Sequence, residues 1–434
     1  MDKPRFDAIV VGAGPAGSVA AYTMAKQGLR VALIERGEFP GAKNVFGGVL
    51  YRKPLEDIIP EFWKEAPLER RVVEQRLWVL GHDSVVGFSF RSARFQDPPN
   101  AWTGQRAKFD AWLAGKAEQA GATPIYETTV TSLIREGGRV VGVRTDREDG
   151  DLYAPVTVIA DGVNSMLAKS LGVHREWRPD QVSLAVKEVL ALPRGVIEER
   201  FGVRDGDGVT IELVGETFGM AGLGFLYTNQ DTLSLGVGVM VSDLREKGVK
   251  PYQVLDHLKQ HPEIRRLIEG AETKEYAAHL IPEGGFDAMP PLAGDGWMVC
   301  GDAAQMVNAA HREGTDLAML SGRLAGETAV ACHGTGDWTV GGLGAYTRAI
   351  RNSIIQRDLK KYRGLHGLLA GSQAETLFGQ LPQALNDAVY EMLSVDGQSK
   401  QDKQKRAMAL IREAAGGTAG LAGIGWRGWR AMNG

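Results

Sequence analysis

Gly12-Ala13-Gly14-Pro15-Ala16-Gly17 spaces three glycines so that a chain leaving a strand can turn tightly and start a helix over a phosphate. Gly12 permits the turn, Gly14 lets the backbone reach a pyrophosphate, and Gly17 lets the helix lie on the strand. The free N–H groups and the dipole at such a helix N-terminus stabilise phosphate charge. Glu35, 18 residues after Gly17, stands where a carboxylate accepts from a ribose hydroxyl. The set points to an adenine dinucleotide, FAD or NAD, against the plainer reading of a strand-to-helix turn. Two more pairs occur far downstream, Asp161-Gly162 and Gly301-Asp302, each closing an apolar run. Either pair alone is an ordinary turn. Together, after an N-terminal glycine fingerprint, they are far more specific.

Other reactive side chains are few. His311 is a candidate proton relay, against the plainer reading of a hydrogen-bonded loop histidine. Cys300 lies in an apolar run and Cys332 ends a helix, and neither has a charged neighbour in sequence that would make a redox thiol. Two cysteines exclude a four-thiolate cluster, a zinc site of that kind and a disulfide framework. No side chain stands out as one that must make or break bonds.

These residues need elements to position them. Residues 6–11 read as a buried parallel strand, 18–27 as an amphipathic helix closed by Gly28, and 30–34 as a second strand. Three strands are expected at 128–134, 140–145 and 151–160, with another at 296–300 and a small-residue helix at 317–331. Between 171 and 286 the pattern becomes that of an antiparallel sheet, with strands at 182–190, 209–214, 218–227 and 232–241, joined by strands from 77–90. On that sheet Gly222, Gly224, Gly236 and Gly238 either leave room for a bulky apolar ligand or serve bulges and tight packing. Helices are expected at 342–362, 381–393 and 400–414, then a Gly/Ala-rich tail with Trp426, Arg427, Trp429 and Arg430. Tryptophans beside arginines suit a membrane interface or a subunit anchor; the bland alternative is a frayed terminus.

Composition bounds the rest. The 434 residues carry 50 Lys+Arg against 53 Asp+Glu, a net charge of −3, which argues against a nucleic-acid binder. The 56 glycines are about 13% of the chain against a usual ~7%, and close backbone approach to a ligand is the expected reason. The uncharged run 8–25 approaches spanning length, yet glycines break it and no basic n-region precedes it, so neither a signal peptide nor a membrane span is expected.

The three motifs in this order resemble the FAD-dependent oxidoreductases that include aromatic hydroxylases, geranylgeranyl reductases and electron-transfer-flavoprotein:quinone oxidoreductases. Within that group, Gly41-Ala42-Lys43-Asn44-Val45-Phe46-Gly47-Gly48-Val49-Leu50-Tyr51 and residues 222–236 and 311–321 are similar to FixC proteins. The resemblance implies an α/β (α+β) fold: a Rossmann-type FAD-binding domain (1–76, 101–177 and 287–332), an inserted antiparallel-sheet quinone or substrate domain (77–100 and 178–286), and a C-terminal helical region (333–434) for partner or membrane docking.

It also implies roles. Gly12, Gly14, Pro15, Ala16, Gly17, Glu35, Asp161 and Gly162 would meet the nucleotide portion and Gly301-Asp302 the ribityl and pyrophosphate portion, with Arg36 and Val130 among the cofactor-binding residues. Arg106 matches a cofactor-contacting position, its other reading being a solvated cation at a helix start. Lys43, Asn44, Val45, Gly47 and Gly48 would lie along the flavin, Lys43 either facing a phosphate or merely exposed, and the helix starting at Gly314-Thr315 would aim its N-terminus at the ring, favouring the anionic reduced form. FAD would be bound non-covalently. Single-chain relatives carry a four-cysteine iron–sulfur domain that is missing here, so the cluster is expected on a separate ferredoxin-like subunit. The implied activity is electron transfer from the alpha/beta electron-transfer flavoprotein, ultimately NADH, to a membrane quinone, as the high-potential branch of flavin-based electron bifurcation. The implied location is cytoplasmic, peripheral on the inner face of the cell membrane. Three alternatives remain: a geranylgeranyl-reductase-like prenyl lipid reductase, an aromatic monooxygenase, and a docking subunit whose FAD is only structural.

Overall fold

The computed structural model describes residues 6–42, 48–365 and 372–433. Ala8–Val11, Val31–Ile34 and Thr157–Ile159 are short runs of apolar and β-branched residues, buried along their whole length. Runs apolar on both faces are stable only inside a sheet covered on both sides. They join Trp297–Val299, Thr123–Ile125 and Ala293–Gly294 in a six-stranded sheet, parallel except for the last pair. The register of this sheet sets where its strands stop. Val11 is opposite both Ile34 and Ile159, and Ile159 is opposite Val299, so four strands end on one line. Gly12, Glu35, Asp161 and Gly301-Asp302 therefore emerge together from one sheet edge.

Two helices seal this sheet by close approach. A Cβ on Gly17 would stand 1.8 Å from the Gly12 carbonyl oxygen, so only glycine lets helix Pro15–Ala25 settle on its strand. Helix Thr315–Thr335 crosses the same helix at Gly322 and Gly326, where added Cβ atoms would meet the Ala16 oxygen at 2.0 Å and Thr23 Cβ at 2.7 Å. Part of the glycine excess thus serves helix packing and not a ligand. The expected strand 151–160 divides: Leu152–Tyr153 closes a three-stranded antiparallel sheet with Val130–Glu136 and Arg139–Thr145, whereas Thr157–Ile159 enters the parallel sheet.

The second layer is a nine-stranded sheet with strands in the order Glu272–Pro282, Val182–Ala191, Thr232–Met240, Gly222–Thr228, Asp207–Val214, Leu68–Leu80, Ala101–Gly104 and Val49–Tyr51, with Val85–Arg91 pairing Leu68–Leu80. It corrects the antiparallel expectation at one place, since Asp207–Val214 runs parallel to Leu68–Leu80. The boundary placed between residues 76 and 77 falls inside one continuous strand, and Val49–Tyr51 and Ala101–Gly104 belong to this sheet as well. Strand Glu272–Pro282 and the helices Arg194–Phe201, Val241–Lys247, Pro251–Gln260 and Pro262–Ile268 had no counterpart in the sequence reading. These helices cover the outer face, where Ile197, Phe201, Leu255, Leu258 and Leu267 meet Ile211, Leu213 and Val237.

The C-terminal helices pack on the rest of the molecule. The expected helix 342–362 breaks at Ser353, whose hydroxyl accepts from Ile355 N–H and caps a second helix, Ile354–Lys361. Helix Leu381–Leu393 docks on strand Leu68–Leu80, where Asn386 Nδ2 donates to the Val79 carbonyl at 3.0 Å and Gln383 Oε1 accepts from His82 N–H at 2.8 Å. The Gly/Ala-rich tail is helical over Gly417–Asn433, with Trp426 and Trp429 58% and 62% exposed. Among the described residues no helix is long and apolar enough to cross a membrane.

Gly322→Val places branched carbons against the Ala16 carbonyl with no flexible neighbour to yield. It is expected to cost ~1–3 kcal/mol, read as a lower urea midpoint, with the two long helices forced apart.

Candidate functional site

Between the sheet edge and the inner face of the nine-stranded sheet lies a cavity of about 640 Å³, within the ~300–1,000 Å³ of small-molecule sites. Its two ends differ. At one, Gly12, Gly14, Pro15, Ala16, Glu35, Arg36, Arg106, Val130, Asp161, Gly162, Gly301 and Asp302 form the wall. Gly48, Gly314 and Thr315 line it toward the second sheet. Gly17 lies behind this wall, in the helix–strand contact. Lys43, Asn44, Val45 and Gly47 lie outside the described residues.

The glycine turn is held by Glu35, whose carboxylate accepts from Ala13 N–H at 3.0 Å and from Gly37 N–H at 2.8 Å. Gly12 has φ +99°, and a Cβ there would stand 2.3 Å from the Ala160 oxygen, so the turn admits no side chain. Arg106 is no solvated cation. Its guanidinium donates to both carboxylate oxygens of the fully buried Asp110, at 2.6 and 2.5 Å, and a Cβ on Gly14 would sit 3.6 Å from Nη2. Asp161 Oδ2 accepts from Leu167 N–H at 3.1 Å, while its buried Oδ1 has no hydrogen-bond partner among the described residues. Burial pushes the Asp161 and Asp302 carboxyls up to about 6, with Arg106 opposing the rise at Asp302. An unpartnered buried carboxylate oxygen beside a backbone cradle is what a polyhydroxylated, diphosphate-bearing ligand would complete.

The other end is walled by the sheet. Of the four glycines singled out there, Gly224 faces the outer core against Leu258 and Leu213, and Gly222 is pressed on the Gly238 carbonyl. The Phe225 ring fills the space over Gly236, leaving Gly238 as the one that opens room. Leu223, Phe225 and Met240 make this end apolar, and Phe378 and Leu365 of the C-terminal region close it.

One cluster here was not found from sequence. Tyr227 Oη donates to Glu212 Oε1 at 2.8 Å, Arg312 Nη1 pairs with the same carboxylate, and Arg312 Nη1 donates to Tyr227 Oη at 3.1 Å. Burial raises Glu212, with Arg312 pulling it back, and burial beside Glu212 raises Tyr227 well above the usual phenol value. Arg312 has φ +58°, a left-handed backbone that costs of order 1–3 kcal/mol in a non-glycine residue. The ion pair holds it there. A lone acid within the β-branched run Val209–Val214 was the available signal. The adjacent His311 is not in the cavity wall; its Nε2 hydrogen-bonds Tyr362 Oη at 2.7 Å on the exposed side, the contact of a hydrogen-bonded loop histidine. Cys300 is fully buried with its thiol pushed up to about 12 by burial, and Cys332 is buried in the last turn of helix Thr315–Thr335. Both are inert.

Arg312→Met strands the Glu212 carboxylate and releases the left-handed turn, so a loss of about 1.5–3 kcal/mol in urea unfolding is expected. Asp316, in the first turn of helix Thr315–Thr335, is pushed up to about 7 by burial, then by Glu313. The folded chain therefore holds this proton where the unfolded chain has released it, and its contribution to stability falls as pH rises from about 4 to about 7. Asp316→Asn is expected to gain thermal stability relative to the parent across that window when the cofactor-free proteins are melted side by side.

Comparison with known proteins agrees with this geometry. Residues 365–433 match the ETF-QO/FixC family C-terminal domain, and residues 7–170 match the FAD dependent oxidoreductase family. The chain is 48% identical to the protein FixC of Bradyrhizobium diazoefficiens, over 94% of each chain. It is 40% identical to the probable electron transfer flavoprotein-quinone oxidoreductase YdiS of Escherichia coli K12, over 94% of this chain and 95% of that one. Among solved structures, a geranylgeranyl bacteriochlorophyll reductase-like protein of Thermoplasma acidophilum superposes with a TM-score of 0.74 at 20% identity, over 95% and 98% of the two chains, which shows a shared fold. A glycine turn, an acid on the next strand and two further strand-end acids around one cavity are the parts of an FAD site, and this chain belongs to the ETF-QO/FixC family of FAD-dependent oxidoreductases.

Proposed function

We propose that this chain accepts electrons from an alpha/beta electron-transfer flavoprotein and delivers them to a membrane quinone. The observation that carries the reading is the division of one cavity into a polar, glycine-lined half and a second half in which the apolar Leu223, Phe225, Met240 and Phe378 stand beside a few polar groups, the Tyr227–Glu212–Arg312 cluster among them. A flavin cofactor fits the first and a quinone ring the second; the name of the YdiS relative supports the pairing. FAD, held non-covalently, supplies hydride and single-electron chemistry when bound. The chain's own residues position it. The amides at the N-terminus of helix Pro15–Ala25 would hold the pyrophosphate, Glu35 the ribose and Asp302 a ribityl hydroxyl, and the N-terminus of helix Thr315–Thr335 would face the ring.

With two cysteines in the sequence, an iron–sulfur cluster belongs on a separate small ferredoxin-like subunit. In the assembled complex this chain serves the high-potential branch of electron bifurcation from NADH, as its similarity to FixC proteins supports. It works at the inner face of the cell membrane. Exposed Trp426 and Trp429, with the Arg430 guanidinium 5.5 Å from the Trp426 ring centre, suit that interface.

Purification of the tagged chain from native membranes tests this reading. The expected result is a heterodimeric flavoprotein and a small iron–sulfur protein in the eluate, with FAD reduced by NADH and reoxidised by a quinone analogue. Recovery of the chain alone, with FAD and no iron, and saturation of a prenyl lipid by that isolated chain, would overturn it.

A further inference from the structure

A second, small cavity of about 50 Å³ adjoins the main one on the side of Tyr362 and Arg363. It is large enough for roughly three to five waters at ~10–15 Å³ each. The wall common to both cavities is made of Met240, Glu283, Val307, Ala309, Ala310 and Leu365. Glu283 is the one titratable side chain in that wall. It comes directly after strand Glu272–Pro282, and its backbone N–H donates to the Gln181 carbonyl at 2.8 Å, which fixes its place. Its Oε1 accepts from Ser183 Oγ at 2.9 Å, and no cation pairs with it among the described residues. The titratable groups on surrounding elements are His279 on its own strand, Glu212 with Arg312, Asp316, and Tyr362 and Arg363 on the outer side; none bonds to Glu283. Burial without a counter-charge pushes this carboxyl up to about 7, with the Ser183 bond opposing, so both its protonation states are accessible at neutral pH.

We infer that Glu283 is the proton gate of the acceptor half, carrying protons from water in the small cavity to the molecule reduced in the main one. The inference rests on the proposed delivery of electrons to a quinone. A quinone becomes a quinol by taking up two electrons and two protons. The electrons come from FAD. The Glu283 O–H bond breaks as a quinol O–H bond forms; the carboxylate is reprotonated by a solvent proton relayed through water in the small cavity, each water regaining from bulk the proton it passes on, and the second proton follows the same route once the other oxygen is turned to this wall. The other side chains of the shared wall are apolar, so this one is the polar link between the two spaces.

Glu283→Gln keeps the shape and removes the exchangeable proton, and the two proteins are compared at equal FAD content. In the parent, the infrared carbonyl band of a protonated carboxyl is expected to titrate near neutral pH, to be missing in Glu283→Gln, and to titrate at higher pH in Ser183→Ala. With a soluble quinone analogue, kcat of Glu283→Gln is expected to fall about 100-fold or more while KM stays within about threefold, and added formate is expected to restore turnover. A carboxyl ionised throughout pH 5–9, or turnover by the parent with an unaltered kcat in Glu283→Gln, would overturn this inference alone. A parent chain that reduces no quinone analogue would overturn the functional reading and this inference with it.

Discussion

The alignment of four parallel strand ends is the constraint from which the rest of the site descends. Backbone hydrogen bonding sets Val11 level with Ile34 and Ile159, and Ile159 level with Val299. A parallel ladder tolerates no single-residue slip when both faces are buried, because every side chain would change sides. Residues that leave those ends are thereby delivered to one place, although Gly12 and Asp302 are far apart in the chain. The glycines then settle how close the covering helices come. Gly17, Gly322 and Gly326 bring three backbones within reach of each other, and the cavity mouth inherits its position from that contact.

Legibility in the sequence tracked the range of the interactions. The glycine turn, its helix and Glu35 span a few dozen residues, and their geometry is a local matter of φ angles and spacing, so they could be read directly. Arg106 and Asp110 are four apart on one helix, yet Asp110 is wholly buried, and nothing in the spacing announced that the pair would point inward. Glu212 and Arg312 meet across a hundred residues of chain. Their partnership depends on how one sheet sits over another, which no local pattern encodes. The six strand and helix segments placed in 182–241 and 381–414 lie close to those observed because apolar alternation and periodicity mark them.

The failures have physical reasons too. Strand Glu272–Pro282 is an edge strand whose first residues, Glu272 to Tyr276, are exposed, so it lacks the apolar alternation of its neighbours. The boundary at residue 76 failed because Leu68–Leu80 serves a single sheet along its whole length. The glycine pattern on the sheet was half informative. Gly236 accommodates the Phe225 ring and Gly224 the outer core, so a glycine that looked like ligand space was often packing space. The tail shows the converse: glycine is a poor helix former, but Gly420 sits where a side chain would strike the Ala415 carbonyl, and the helix uses the omission.

The C-terminal helices are stitched to residues from every other part of the chain. Asn386 binds the Val79 carbonyl, Gln383 the His82 amide, and Glu375 pairs with Lys247, while Phe378 and Leu365 close the cavity. Seams of this kind remove the independence that a terminal appendage would have. The free energy that keeps residues 375–393 in place is shared with the large sheet, so local opening of one loosens the other. Lifting helix Leu381–Leu393 from the sheet would free the Val79 carbonyl and the His82 amide in the same motion that draws Phe378 away from the chamber.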